Sequence, residues 1–306
     1  MAQNKNTVGH IVSFFTIIIW GTTFISTKFL LKDFTPIEIL FFRFILGFFT
    51  LSLVYPHKLH IKDRKQEWLF IGAGLCGVTL YFLFENIALM LSYASNVGVI
   101  VSIAPFFTAI LAHLFLENEK MKPAFFLGFA ASIAGIFLIS FNGSTILKLN
   151  PMGDLLAVLA AAVWAVYSIL TKKISAFHYN TIQTTRRIFF YGIVFMIPAL
   201  FLFDFQLDLL RFTKPINLLN MLYLGFGASA LCFVTWNWAV KILGAVKTSV
   251  YIYIIPVITV TISAIVLHER ITWIAITGTA LIIVGLFLST YSKVVKEVVS
   301  SQADIL

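Results

Sequence analysis

Glu85 is the one acidic residue lying well inside an apolar stretch of this 306-residue chain. A carboxylate at membrane depth costs about 2.5–3.5 kcal/mol on insertion scales, so it must find a cation, carry a proton or face water. Lys28 and Arg43 fall at similar depth in their own stretches and are its candidate ion-pair partners. Two readings follow: a structural ion pair, or a protonatable group that takes up and releases a proton. Tyr81, Glu85 and Ala88 share one helical face, with Asn86 beside it.

Trp20 and Trp164 lie near the middle of apolar stretches. Tryptophan is enriched at the membrane interfaces, so a pair at mid-depth is unusual. A buried indole N–H needs an acceptor. Tyr167 follows Trp164 by one helical turn and shares its face. An aromatic wall with a few donors suits an organic solute with an apolar side chain, and core packing between helices is the alternative. Thr23, Tyr81, Glu85, Asn86, Ser102, Trp236, Asn237 and Tyr253 complete the candidate substrate-binding set with Trp20, Trp164 and Tyr167. Pro105 and Pro256 fall near the middle of two further stretches. A mid-helix proline removes a backbone hydrogen bond and leaves a carbonyl free, which makes both prolines candidate hinges.

These residues need helices long enough to carry them across a bilayer. Apolar residues make up 60% of the chain and charged residues 11%, too few charges to cover a water-soluble domain of this length. About 20 apolar residues span a bilayer core. Ten stretches qualify, at 10–31, 36–55, 68–91, 95–116, 123–141, 153–173, 180–203, 217–241, 247–267 and 271–291. The net charge of +9 is no sign of nucleic acid, because the basic residues sit in short loops. With the N-terminus inside, thirteen Lys and Arg fall on the cytoplasmic side, among them Lys58, Lys62, Arg64 and Lys65. Five fall outside: Lys32, Lys148, Arg211, Lys214 and Arg270. Both termini are therefore expected in the cytoplasm, as ten spans require. The two cysteines, Cys76 and Cys232, lie inside spans and suggest neither metal nor disulfide, and no cofactor is expected.

The chain also repeats itself. Trp20, Thr27, Lys28 and Arg43 recur 144 positions later as Trp164, Thr171, Lys172 and Arg187. Gly74, Asn86, Ala88 and Pro105 recur 151 later as Gly225, Asn237, Ala239 and Pro256. Glu119, Gly128 and Gly135 recur 150 later as Glu269, Gly278 and Gly285. Five spans per copy make the second copy enter from the opposite side, an arrangement recurrent in alternating-access carriers. The expected fold is all-α, ten transmembrane helices in two inverted five-helix repeats (8–141 and 150–292) around a central cavity. The glycine pairs are expected to let helices approach closely. Glu119 and Glu269 are expected to favour the following helix N-termini, His113 to be hydrogen-bonded packing, 142–151 to link the repeats, and the tail from Ser292 to be disordered.

The string Trp20-Gly21-Thr22-Thr23-Phe24, then Lys28, Pro36 and Phe42-Arg43-Phe44, resembles the EamA family of the drug/metabolite transporter superfamily. Ala104-Pro105-Phe106-Phe107-Thr108, closed by Glu119, Gly128 and Gly135, resembles it too, and Pro256, Glu269, Gly278 and Gly285 repeat that ending. The second half departs from the pattern, with Ala165 after Trp164 and Thr185-Arg186-Arg187-Ile188 in place of the Phe-Arg-Phe triplet. Unequal chemistry from the two halves follows.

The resemblance implies a bacterial inner-membrane carrier that exports small metabolites such as amino acids, with a small-molecule substrate and membrane lipids as surroundings. Separately, a protonatable Glu85 makes protons the candidate coupling ion. Uptake, or drug or amine export, are the alternatives on the same fold. Monomer and homodimer are equally compatible. A secondary carrier fits the absence of a phosphate loop, and an enzyme is disfavoured because His268-Glu269-Arg270 lacks the second histidine of a zinc motif and the six histidines are scattered. A channel is disfavoured because polar residues collect near mid-span rather than along a continuous stripe.

Overall fold

A computed structural model of the chain describes residues 2–92, 94–117, 123–140, 150–203, 205–267 and 273–290. The described residues form helices and connecting turns. In chain order the α-helices are α1 (Ala2–Leu30), α2 (Pro36–Val54), α3 (Glu67–Gly74), α4 (Tyr81–Leu91), α5 (Ala94–Val101), α6 (Ala104–Phe115), α7 (Pro123–Ser140), α8 (Pro151–Ser175), α9 (Thr181–Leu202), α10 (Pro215–Leu222), α11 (Cys232–Leu243), α12 (Ala245–Ser249), α13 (Ile255–Leu267) and α14 (Trp273–Thr290). Among the described residues seven helical runs are long and apolar enough to cross a membrane, and three shorter apolar runs accompany them at Phe125–Gly135, Ala245–Thr259 and Ile276–Gly285.

Helix starts are written in the sequence. Thr35 caps α2: its hydroxyl accepts the Glu38 N–H, while the Glu38 carboxylate accepts the Thr35 N–H at 2.8 Å. Pro36 and Pro151 sit in first turns, where a missing N–H costs nothing. Asn150 and Asn180 cap α8 and α9 with their side-chain oxygens.

Two long helices widen at their centres. Between α3 and α4 the residues Leu75–Leu80 take π-helical hydrogen bonding, and Tyr223–Leu231 do the same between α10 and α11. The two segments end at Leu80 and Leu231, the same 151-residue offset that relates Asn86 to Asn237. Such wide turns are frequent at functional sites.

The proline-bearing stretches differ from expectation. Each is interrupted before its proline. The chain turns at Ser102 and Ile103 between α5 and α6, and a 3₁₀ stretch, Val250–Ile254, separates α12 from α13. Pro105 and Pro256 each occupy the second position of the helix that follows. They open new helices, in the one turn where proline leaves no intrahelical bond unmade.

Inter-helix contacts come in matching sets. α1 packs on α11 and α13, while α8 packs on α4 and α6. α2 lies on the π segment at 223–231, while α9 lies on that at 75–80. α2 also meets α9, and α7 meets α14. A Cβ at Gly135 would run into the Gly278 carbonyl, and one at Gly285 into the Gly128 carbonyl, so the α7–α14 contact is backbone against backbone. Where lipid offers no hydrophobic drive, such close approach is what holds helices together.

Each end of the α2–α9 layer is tied to a loop from the other half. At the α2 N-terminus Arg211 reaches Glu38 at 2.7 Å and 3.0 Å and Lys214 reaches Asp33 at 2.7 Å. At the α9 N-terminus Arg187 reaches Glu67 at 2.7 Å and Tyr179 donates to Gln66 at 2.8 Å. Glu119, Glu269, the His268-Glu269-Arg270 triplet, most of the 142–151 linker and the tail from Ser292 lie outside the described residues. His113 is exposed and makes no side-chain hydrogen bond within the described residues, contrary to expectation.

Candidate substrate-binding site

α1, α4 and α8 meet in a knot of aromatic rings. Trp20 stands edge-on to Trp164, with ring centres 5.2 Å apart, and Tyr81 lies 4.7 Å from Trp164. Trp236 from α11 lies 5.1 Å from Trp20. Phe233 touches Trp20, Phe44, Phe82, Trp164, Tyr167 and Phe189. Aromatic pairs of these geometries contribute about 0.5–1.5 kcal/mol each beyond burial. That rigid wall fixes where the polar groups stand.

Beside the wall is a narrow void lined by Trp20, Thr23, Tyr81, Glu85 and Trp164 among the expected residues, and by Phe24, Phe82, Val101, Ile252 and Ile255 besides. Only about 20 Å3 of it is wide enough to seat the centre of a water molecule, room for about one water. The site is nearly closed, and a metabolite would need the helices to part. Val101 ends α5, and Ile252 and Ile255 flank the step from 3₁₀ stretch to α13, so both interrupted spans reach the void.

Glu85 is 5% exposed and has no ion pair and no hydrogen bond among the described residues. Its expected partners are engaged elsewhere. Lys28 donates to the Ser92 carbonyl at 2.7 Å, at the C-terminal end of α4, where a cation complements the helix dipole. Lys172, its counterpart 144 positions on, lies 3.5 Å from the Val240 carbonyl near the end of α11. The Arg43 Nε donates to Ser229 at 3.0 Å, and its guanidinium stacks 4.2 Å from the Phe82 ring centre. Arg43 acts on Glu85 through its charge, without direct contact. The expected ion pair is absent among the described residues: α2 turns Arg43 toward Ser229 in the π segment, with its guanidinium over the Phe82 ring.

The other expected residues divide. Tyr167 packs its ring 4.9 Å from Trp164 and donates to Asn237 at 2.7 Å, and Asn237 donates to Thr185 at 3.0 Å. A second recess, lined by Asn237, Lys241 and Thr184 among others, lies at the far end of this column. Thr23 bonds the Trp20 carbonyl and Ser102 the Gly98 carbonyl. Asn86 reaches the Pro36 carbonyl at 3.2 Å. Tyr253 packs in a separate cluster with Ala109, Phe125, Val250 and Ile282, away from the void. Two indole nitrogens, Trp164 Nε1 and Trp236 Nε1, are buried without an acceptor.

Sequence reading missed Phe233, Phe82 and Phe24. The signal for Phe24 was in hand, one helical turn after Trp20. Phe82 and Phe233 recur at the 151 offset but hide among 32 phenylalanines.

A family model described as "EamA-like transporter family" matches twice, over residues 7–141 and 151–291. An "Uncharacterized transporter" of Archaeoglobus fulgidus is 27% identical over 93% of this chain and 98% of its own. A "Probable terminal-alkyne amino-acid exporter" of Streptantibioticus cattleyicolor is 26% identical over 89% and 90%, and a "Probable amino-acid metabolite efflux pump" of Escherichia coli 23% identical over 92% and 94%. A solved crystal structure aligns with TM-score 0.73 at 20% identity, covering 94% of this chain and 98% of its own.

Proposed function

This chain belongs to the EamA-like transporter family, and from that premise we propose that it is a secondary carrier exporting a small organic solute, such as an amino acid, by alternating access. The observation that carries the reading is the void bounded by Trp20, Trp164 and Tyr81, with the unpaired Glu85 on its edge. Side chains from both halves build it, as a midplane carrier site requires. An exported amino acid offers an ammonium and an apolar side chain for the aromatic ring faces. The names of two relatives, an exporter and an efflux pump, agree with outward movement.

Ten spans in two inverted repeats are the architecture we assign. Supporting it are the matching helix contacts, the paired π segments, the paired interruptions before Pro105 and Pro256, and the twofold family match. The hinge role moves from the prolines to the interruptions in front of them. The N- and C-termini are assigned to the cytoplasm of the cell membrane from the Lys and Arg count. Glu85 is the candidate proton carrier.

A second reading, export of an organic amine without a carboxylate, is favoured by one observation. Glu85 and the aromatic faces of Trp20, Tyr81 and Trp164 suit a cation, and among the described residues no cationic side chain lines the void to meet a carboxylate. Liposomes containing the purified carrier, tested with labelled amino acids and labelled amines with and without a pH gradient, separate the two. Transport of neither class, or transport that requires a nucleotide, would sink both.

A further inference from the structure

We propose that the groove between the C-terminal end of α2 and the first turns of α9 is a binding site for the headgroup of an anionic phospholipid. The groove encloses about 470 Å3 and lies outside the aromatic knot. Its walls hold three cations, Lys58, Arg186 and Arg187, with Phe48, Leu59 and Phe190.

The cations are not equally occupied. Arg187 is paired with Glu67 at 2.7 Å. Arg186 donates to the backbone carbonyls of Tyr55, at 2.7 Å, and His57. Those bonds fix the guanidinium plane and leave its charge without an anion. Two of its five N–H donors are used, so others are free to meet phosphate oxygens. The Lys58 ammonium has no anionic partner among the described residues. Two positive charges therefore face one groove uncompensated.

The groove is also graded along the membrane normal. α2 ends at Val54, and Lys58 lies beyond that end. Phe48 lies six residues before Val54, about 9 Å deeper at 1.5 Å per residue. With Lys58 at headgroup level, that distance carries Phe48 to the start of the acyl chains. Phe190 lies one turn deeper than Arg186 on α9 and is 44% exposed. A soluble anion would match the cations and leave the apolar walls in contact with nothing. A phospholipid matches both: phosphate against Lys58 and Arg186, and the start of its chains along Phe48 and Phe190. The site is one-sided, because the position matching Arg186 in the first half is Phe42. Basic pockets between transmembrane helices are known places of anionic headgroup recognition, at about 1 kcal/mol per cation near the surface.

The test is native mass spectrometry of the purified protein with equal amounts of phosphatidylglycerol and phosphatidylcholine. Phosphatidylglycerol should be retained preferentially. Lys58→Gln, which breaks no hydrogen bond of the fold, should weaken that retention about fivefold, and Arg186→Gln should weaken it further. Lys32→Gln, a charge removed at the other end of α2, should leave it unchanged. Equal retention of the two lipids, or no effect of Lys58→Gln, would overturn the proposal. Glycerol phosphate at millimolar concentration should not displace the lipid. If it does, the groove is a site for a soluble phosphate and the lipid assignment fails.

Discussion

The indole Nε1 of Trp20 donates to the backbone carbonyl of Ala228 at 2.9 Å, across the contact between α1 and the π segment at 223–231. Trp164, the matching residue 144 positions later, has no acceptor for its own Nε1. The two tryptophans share one aromatic knot and differ in what holds them. Trp20→Phe removes that bond and should destabilise the protein by about 0.5–1.5 kcal/mol. Trp164→Phe breaks no hydrogen bond and should cost clearly less. Thermal unfolding in detergent checks the order, and equal losses would show that the hydrogen bond is not what anchors Trp20.

Glu85 has no ion partner to stabilise its charge, so the neutral amide is a tolerable replacement for the protonated acid. Glu85→Gln should fold normally, lose flux driven by a pH gradient, and retain exchange of labelled for unlabelled substrate. Loss of both activities with the fold intact would place Glu85 in substrate binding rather than proton coupling.

The two charged ties at the ends of the α2–α9 layer should differ in strength. Glu38 is 1% exposed against 17% for Arg211, while Glu67 and Arg187 are 22% and 37% exposed. Arg211→Ala leaves a buried carboxylate unpaired, a loss of about 3–5 kcal/mol. Arg187→Ala removes a more solvent-exposed pair and should cost less, about 1 kcal/mol. Unfolding midpoints of the two variants should separate accordingly. A larger loss from Arg187→Ala would reverse the ranking.

Asp33 sits in the turn between α1 and α2, where hydrogen bonds from Lys214 and Asn217 hold its carboxyl below the usual range. The folded value lies below the unfolded one. The stability it contributes is therefore present above about pH 4 and disappears as pH falls through the folded value. Asp33→Asn should lower the unfolding midpoint at neutral pH, and the gap to the parent should close in acid. A gap that stays constant from neutral to acid pH would show that charge is not what Lys214 reads.

Sequence alone carried the membrane class and the long apolar helices, because apolar length is a local property. It also singled out Trp20, Tyr81, Glu85 and Trp164, which the fold brings to one void, because tryptophan and a carboxylate are conspicuous at membrane depth. Partners were not legible. Lys28 and Arg43 looked available to Glu85, yet side-chain direction depends on helix rotation, and rotation is decided by packing against other spans. The ties from Asp33 and Glu38 to Lys214 and Arg211 join loops more than 170 positions apart, which no local pattern encodes. The π segments lack a sequence signature, since the same residues make an ordinary helix until neighbours press on them. Tertiary structure decided these features, because the energy that selects them lies in contacts between helices rather than within any one of them.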